Sequence, residues 1–425
     1  MKKIAVIAVV LFISCALIVV IFFQKSISER FSNSPTTQED KKVEQNQQTE
    51  IKIEQKEEFQ EEKLYSENAF EQKVWEQRIE AALAPTNCPP ATAQTFGELS
   101  YTGPLIDAHF HIANIPDSEP SNEEPDYADE ERPLLGVNLK ITNIICTLEQ
   151  ENTQKVFAFF PVYKEIPAQM VELVKRTMEK YPDKFVPFIM TPDNDGSPDG
   201  FPTVDVETLQ SMLAIEPKLF RGYGEIGLYA RGDHGGPKGS PELPPDSKRL
   251  SEIYPIIREN NLLVYFHLGE GQKESFEKVL EQNPDINFIF HGDQLISYEN
   301  GKQNLKNIDE ILTKHPNAYY GIDELYGDVW LLKQEVTKEE FFKHFKNYDT
   351  LLKKDLETWK AFIEKHPNQI LWGTDRGAIA IWSVDPQVGL TLTNYARAFI
   401  ARLKPEVQEK LAHLNAEKLA SIATD

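Results

Sequence analysis

From about Leu105 onward, short hydrophobic runs alternate with longer stretches whose apolar residues recur at helical spacing. Five of the runs stop on a ligand-type side chain: Leu105-Ile-Asp-Ala-His109-Phe-His111, Tyr223-Gly-Glu225-Ile, Leu263-Val-Tyr-Phe-His267, Phe288-Ile-Phe-His291 and Ile370-Leu-Trp-Gly-Thr-Asp375. Each reads as a buried strand. Ile141 to Leu148, Phe185 to Met190 and Ala318 to Asp323 read as three more. Helical periodicity falls between them, over Ala168 to Lys180, Val204 to Ile215, Leu250 to Asn260, Glu274 to Gln282, Ile308 to Lys314 and a long stretch ending near His366, with further helices after Asp385. Eight strands alternating with helices predict an α/β fold, a (β/α)8 TIM barrel. The rival is an open doubly wound sheet, which would not ordinarily bring a first-strand residue beside residues of the fifth and eighth. Insertions are expected after strand one (Asn114 to Arg132), strand four (Ala230 to Asp246) and strand seven (Glu324 to Thr350).

The pattern upstream is different. Residues 1–23 carry Lys2 and Lys3 and then an uncharged apolar run, Ile4 to Phe23. About 20 helical residues span roughly 30 Å, enough for a bilayer core, so a transmembrane signal anchor is expected, with a cleaved signal or a lipid attachment at Cys15 as alternatives. The two lysines favour an amino terminus inside, against the pull of Lys25 and Arg30, so the body is expected outside the cytoplasm, periplasmic or at the cell surface. Residues 24–66, rich in Gln, Glu, Lys, Ser and Thr, are expected to be a disordered linker. Residues 67–100 form a short lead-in, in which Phe70, Val74, Trp75, Ile79, Ala82 and Leu83 predict an amphipathic helix ended by Pro85. Residues 101–425 hold the barrel.

The formal charge of −22 over 425 residues argues against a nucleic-acid partner gripped by phosphate neutralisation. Part of it is regional: Asp117 to Arg132 holds eight acids and one Arg, a solvated loop. Cys88 and Cys146, the two cysteines beyond the apolar run, could form a disulfide in an oxidising compartment, or Cys146 could simply fill the core. Nothing in the pattern fixes an oligomeric state.

The strand ends carry the chemistry. His109 and His111, two apart on a strand, face the same side and can chelate one ion, and Asp107 would share that face and orient the site or cap the strand. Only nine histidines occur, so finding His267 and His291 also at strand ends is more than composition suggests. Asp375, beside the flexible Gly373, suits a carboxylate at the barrel mouth that binds metal and accepts a proton from water. Glu225, between Gly224 and Gly227, suits a bridge to a second ion, or a supporting carboxylate. His315, His344, His366 and His413 lie in Lys- and Glu-rich stretches and read as solvated surface.

With these residues in this order, the chain resembles the amidohydrolase superfamily over about Leu105 to Ala420, and its amidohydrolase-related branch in particular. Tyr181-Pro-Asp-Lys-Phe-Val-Pro-Phe, Asn283-Pro-Asp-Ile-Asn-Phe-Ile-Phe-His-Gly and Asn415-Ala-Glu-Lys-Leu are similar to recurrent segments of that branch. The resemblance implies metal ligands at His109, His111, Glu225, His267, His291 and Asp375. It implies one or two divalent ions, zinc first and manganese or iron as alternatives. The implied reaction is hydrolysis of an amide, lactone or ester in a small molecule, with Asp375 moving the proton and His291 polarising the substrate or assisting. Arg376, Arg231, His234 and Trp382 are candidates for substrate contact. A decarboxylase or hydratase of the same superfamily is the alternative, although Asp107 stands where decarboxylases of this branch often differ, carrying a metal-binding Glu before the His pair. Gly224-Glu-Ile-Gly-Leu-Tyr229 is similar to a segment of TatD-like deoxyribonucleases, but Tyr229 departs from their usual Asp. A non-catalytic binding barrel is the remaining reading.

Overall fold

A computed structural model describes residues 72–92, 94–112, 140–162, 167–192, 195, 199–229, 242–291, 297–299, 302–323, 325–326, 336–377 and 381–422. The chain divides into two units, Met1–Lys73 and Val74–Asp425, and the barrel belongs to the second. The expected anchor (1–23) and linker (24–66) lie outside the described residues. Among the described residues no helix is long and apolar enough to cross a membrane.

Eight parallel strands form a nearly closed barrel in chain order: β1 (Leu105–His111), β2 (Thr153–Pro161), β3 (Phe185–Met190), β4 (Gly222–Gly227), β5 (Leu263–His267), β6 (Phe288–His291), β7 (Ala318–Ile322) and β8 (Ile370–Trp372). A bridge between Phe110 and Arg376 joins the last strand's end to the first, with His111 N donating to Arg376 O at 2.8 Å and Asp375 N to His109 O at 3.0 Å. An antiparallel hairpin, Ser297–Glu299 with Lys302–Asn304, follows β6 and was not expected from the sequence.

The strands are apolar on both faces because both are buried. In β2, Phe157 and Phe159 fill the barrel interior, while Val156, Ala158 and Phe160 pack outward against the helices. The interior layer also takes Ile106, Ala108, Phe188, Tyr265, Ile289 and Leu371. Some helices start on side-chain caps: Asp205 accepts from Thr208 N at 2.8 Å, and Asp385 accepts from Gln387 N at 2.8 Å just ahead of Pro386.

One element was misread. Ile141 to Leu148, expected as the second strand, is a helix, Ile141–Glu151. Its β-branched residues favour a strand, yet they are buried around most of the helix, between the barrel and the Pro386–Ile400 helix. Tertiary burial outweighs the local preference, worth only tenths of a kcal/mol per residue (~0.5). Asn152, left-handed at φ 55°, turns the chain straight into the true second strand.

Residues 72–83 are helical, with Ile79, Ala82 and Leu83 buried, as the amphipathic pattern predicted. An extended segment follows, and side chains hold its backbone. Gln150 Nε2 donates to Pro89 O (2.7 Å) and Gln150 Oε1 accepts from Ala91 N (2.6 Å). Gln387 makes the same pair of bonds to Thr92, both 2.8 Å, and Asn394 donates to Gln94 O at 2.9 Å. Phe96 buries its ring among Phe345, Tyr348 and Tyr395, and Cys88 is disulfide-bonded to Cys146 with Cα atoms 5.6 Å apart.

Candidate metal centre

The strand ends converge, and local irregularities aim their side chains. In β1 the register shifts between Asp107 and Phe110. Ile106 and Ala108 lie in the interior layer, but Phe110 lies in the outer one, so the bulge sends His109 and His111 inward. Asp107 therefore does not share their face, as plain alternation had implied. It accepts from His109 N (3.1 Å), Thr374 N (3.0 Å) and Thr374 Oγ1 (2.6 Å), binding β1 to the turn after β8.

In β4 the register shifts between Tyr223 and Ile226, which re-aims Glu225. Gly224 sits there at φ 128° against the Tyr265 carbonyl, where a Cβ would collide. Past β8, Asp375 takes φ 51°, a left-handed conformation that Asp tolerates better than most residues. Its carboxylate is 38 % exposed, whereas the imidazoles of His109 and His111 are buried.

Four donor atoms then sit together. His109 Nε2 is 3.1 Å from His111 Nε2 and 3.1 Å from Asp375 Oδ1. His111 Nε2 is 3.1 Å from Asp375 Oδ1 and 3.3 Å from Glu225 Oε2, which is 3.5 Å from His109 Nε2. A second set shares Glu225: its Oε1 is 3.0 Å from His267 Nδ1 and 2.6 Å from His291 Nε2. The six residues expected as ligands are thus brought together in two groups joined at Glu225.

The outer ring nitrogens bring in two residues that sequence reasoning gave no role. Asp323, just past β7, places Oδ2 3.1 Å from His109 Nδ1 and 2.8 Å from His291 Nδ1. Its signal was available, because Gly-Ile-Asp323 ends a strand as the other ligand-bearing runs do. Met190, at the end of β3, places Sδ 3.4 Å from His111 Nδ1.

Gathering carboxylates and imidazoles away from water creates a demand for positive charge. Burial disfavours a charged His109, but Asp375, with Asp323 and Glu225, outweighs it and pushes the imidazole up to about 10. His291 is held well above its usual value against the same burial, by Asp323 and Glu225, and His111 is raised by Asp375 and Glu225. Burial would raise Glu225, yet His291, His109, His111 and His267 hold it well below the carboxylate range. Asp323 is lowered by His291 and His109 in the same way.

This set fits a divalent ion. Where Nδ1 of His109 and of His111 donates outward, both Nε2 lone pairs point at one spot, which only a shared cation or proton makes favourable. Ligands about 2.0–2.1 Å from a tetrahedral zinc stand roughly 3.3–3.4 Å apart, close to the 3.1–3.5 Å spacings found here.

Other expectations resolve differently. Arg376, expected at the mouth, is 1 % exposed and grips Glu151 with two bonds, Nη1 to Oε1 at 2.6 Å and Nη2 to Oε2 at 2.7 Å. The bridge to Phe110 turns its side chain outward, towards the Ile141–Glu151 helix. Arg231 and His234 lie outside the described residues, as does most of the insertion holding them. Trp382 falls in a 3-10 turn, Ile381–Val384. His315 and His366 are buried rather than solvated, because each ends a helix ahead of a barrel strand; His366 Nε2 is 2.7 Å from Asp309 Oδ1. His344 reaches Tyr326 O at 2.6 Å, and His413 pairs with Glu417 at 3.1 Å.

Comparison with known proteins gives the class of this barrel. The family described as amidohydrolase matches residues 106–420. The chain belongs to the amidohydrolase family. Among curated proteins, none matches. Solved structures similar to this chain include an amidohydrolase from Burkholderia multivorans with bound zinc (10 % identity, 75 % of this chain and 99 % of that one, TM-score 0.45). Another is a probable 2-pyrone-4,6-dicarboxylic acid hydrolase from Acinetobacter baumannii (11 %, 75 % and 99 %, 0.44). A third is the 4-oxalomesaconate hydratase of Rhodopseudomonas palustris (12 %, 75 % and 96 %, 0.39). The reactions in these names belong to those proteins.

Proposed function

We propose that the protein is a metal-dependent hydrolase that cleaves an amide, lactone or ester bond of a small molecule, with zinc as the first candidate ion and manganese or iron as the others. The observation that carries this reading is the set of four donor atoms from His109, His111, Glu225 and Asp375, spaced 3.1–3.5 Å in every measured pair, with Asp375 open to the mouth. A divalent ion in that set supplies a Lewis acid that acidifies water and polarises the substrate's oxygen. Asp375, the exposed member, accepts the proton of the attacking water and returns it to the leaving group. His291, fixed between Asp323 and Glu225, is placed to polarise the substrate or assist that transfer. Asp323 keeps the His109 and His291 rings turned with Nε2 inward.

The body is proposed to lie outside the cytoplasm on a membrane anchor. The Ile4–Phe23 run and the Cys88–Cys146 disulfide support this, since such bonds persist in oxidising compartments.

The test is metal analysis of the purified protein, then a screen of amides, lactones and esters with Asp375→Asn as control. A stoichiometric ion, with turnover lost and metal retained in the variant, is the expected result. Release of carbon dioxide, or addition of water across a double bond, would replace hydrolysis with the lyase chemistry of the same superfamily. A protein that takes up no zinc, manganese or iron would defeat the reading.

A further inference from the structure

The imidazoles of the centre are not backed alike. His109 and His291 each set Nδ1 against the Asp323 carboxylate, at 3.1 and 2.8 Å. His111 sets Nδ1 against the Met190 thioether, at 3.4 Å. A carboxylate fixes the tautomer and makes the ring more basic; a thioether is a weak acceptor that does little of either. The sulfur is nevertheless well placed. Met190 closes β3 opposite Pro161, its carbonyl accepts from Val162 N at 3.4 Å, and the neighbouring Thr191 hydroxyl donates to Glu225 O at 3.3 Å. Both Met190 and His111 are buried, so water does not replace the contact freely.

We propose that Met190 is a positioning residue for His111, and that its weak acceptor makes His111 the more loosely held of the two imidazoles in the four-donor set and sets how readily the ion leaves. The inference rests on the cluster's holding a divalent ion. It assigns the rate of metal exchange to a residue that touches neither ion nor substrate. His109, backed by charge, stays oriented when the ion departs. His111, backed by sulfur, is held in that orientation more weakly.

Two variants separate positioning from packing. Met190→Leu keeps volume and apolar character but removes the acceptor, and such a swap is tolerated in cores. Met190→Gln keeps the length and offers an amide oxygen. Each is loaded with zinc, and release to a chelator in excess is timed, with melting temperature as the check on folding. Release is expected about threefold faster in Met190→Leu, as suits one weak hydrogen bond, and slower than wild type in Met190→Gln. In loaded Met190→Gln, the His111 Nδ1–H proton resonance is expected to move downfield. Equal release from all three proteins, or faster release from both variants, would overturn the proposal, the second outcome assigning Met190 to packing alone. Failure of the wild type to take up zinc, manganese or iron would instead remove the metal reading, and this inference with it.

Discussion

Two buried ionic clusters hang on the same two strand ends and differ in whether they close. In the first, Arg376 lies between Glu151, at 2.6 and 2.7 Å, and Asp107, at 3.7 Å, while Thr374 donates to Asp107. A fixed guanidinium meets the carboxylates, and Gly389 leaves room, because a Cβ there would land on Glu151 and Arg376. In the second, Glu225, Asp323 and Asp375 surround four imidazoles, and no Lys or Arg is paired with them among the described residues. The clusters meet at adjacent residues, Asp375 and Arg376, and again at Asp107 and His109, with only Ala108 between them. The first cluster carries a permanent cation, whereas the second balances its carboxylates with imidazoles alone, the arrangement proposed above to take a metal ion.

The comparison breaks most visibly by substitution. His109→Asn should abolish stoichiometric metal and lower turnover by about a thousandfold or more, leaving the fold in place, as read by metal content and circular dichroism. Arg376→Met should do the reverse, costing about 3–5 kcal/mol in urea unfolding while metal content persists, since Glu151 and Asp107 are then buried unpaired. If Arg376→Met stripped the metal at unchanged stability, the two clusters would be one unit. Asp323→Asn is expected to weaken metal binding by about 10–100-fold in a chelator competition without unfolding the barrel.

The smallest effect is in pH. His109 in the metal-free protein is raised to about 10 from its ordinary 6.5. Its stabilising contribution is therefore full below pH 6.5 and is lost as pH rises through about 10. Melting of the metal-free protein should decline across that window. The loaded protein should lose its advantage in the opposite direction, as protons displace the ion at low pH.

Much of this was legible in the chain, for identifiable reasons. Apolar runs ending in His or an acid mark barrel strands and their open ends at once, so β1, β4, β5, β6 and β8 and their end residues could be read together. Ile141 to Leu148 could not, because a helix buried nearly all round carries no polar face to set its period. Asp107 and Arg376 were placed on the wrong side because a bulge and a left-handed turn, invisible to a two-residue alternation, intervene. Asp323 was missed for want of a second signal. It works by holding other side chains, and that role leaves no spacing motif.

The lead-in segment bears on the order of assembly. Its backbone is held by Gln150 near one end of the barrel sequence and by Gln387, Asn394, Arg397 and Arg402 near the other. On a chain made from its amino terminus, residues 89–103 have no complete berth until nearly everything else has emerged. Cys88 and Cys146 are both present much earlier, so their bond can moor the waiting stretch beside the helix where it will finally lie.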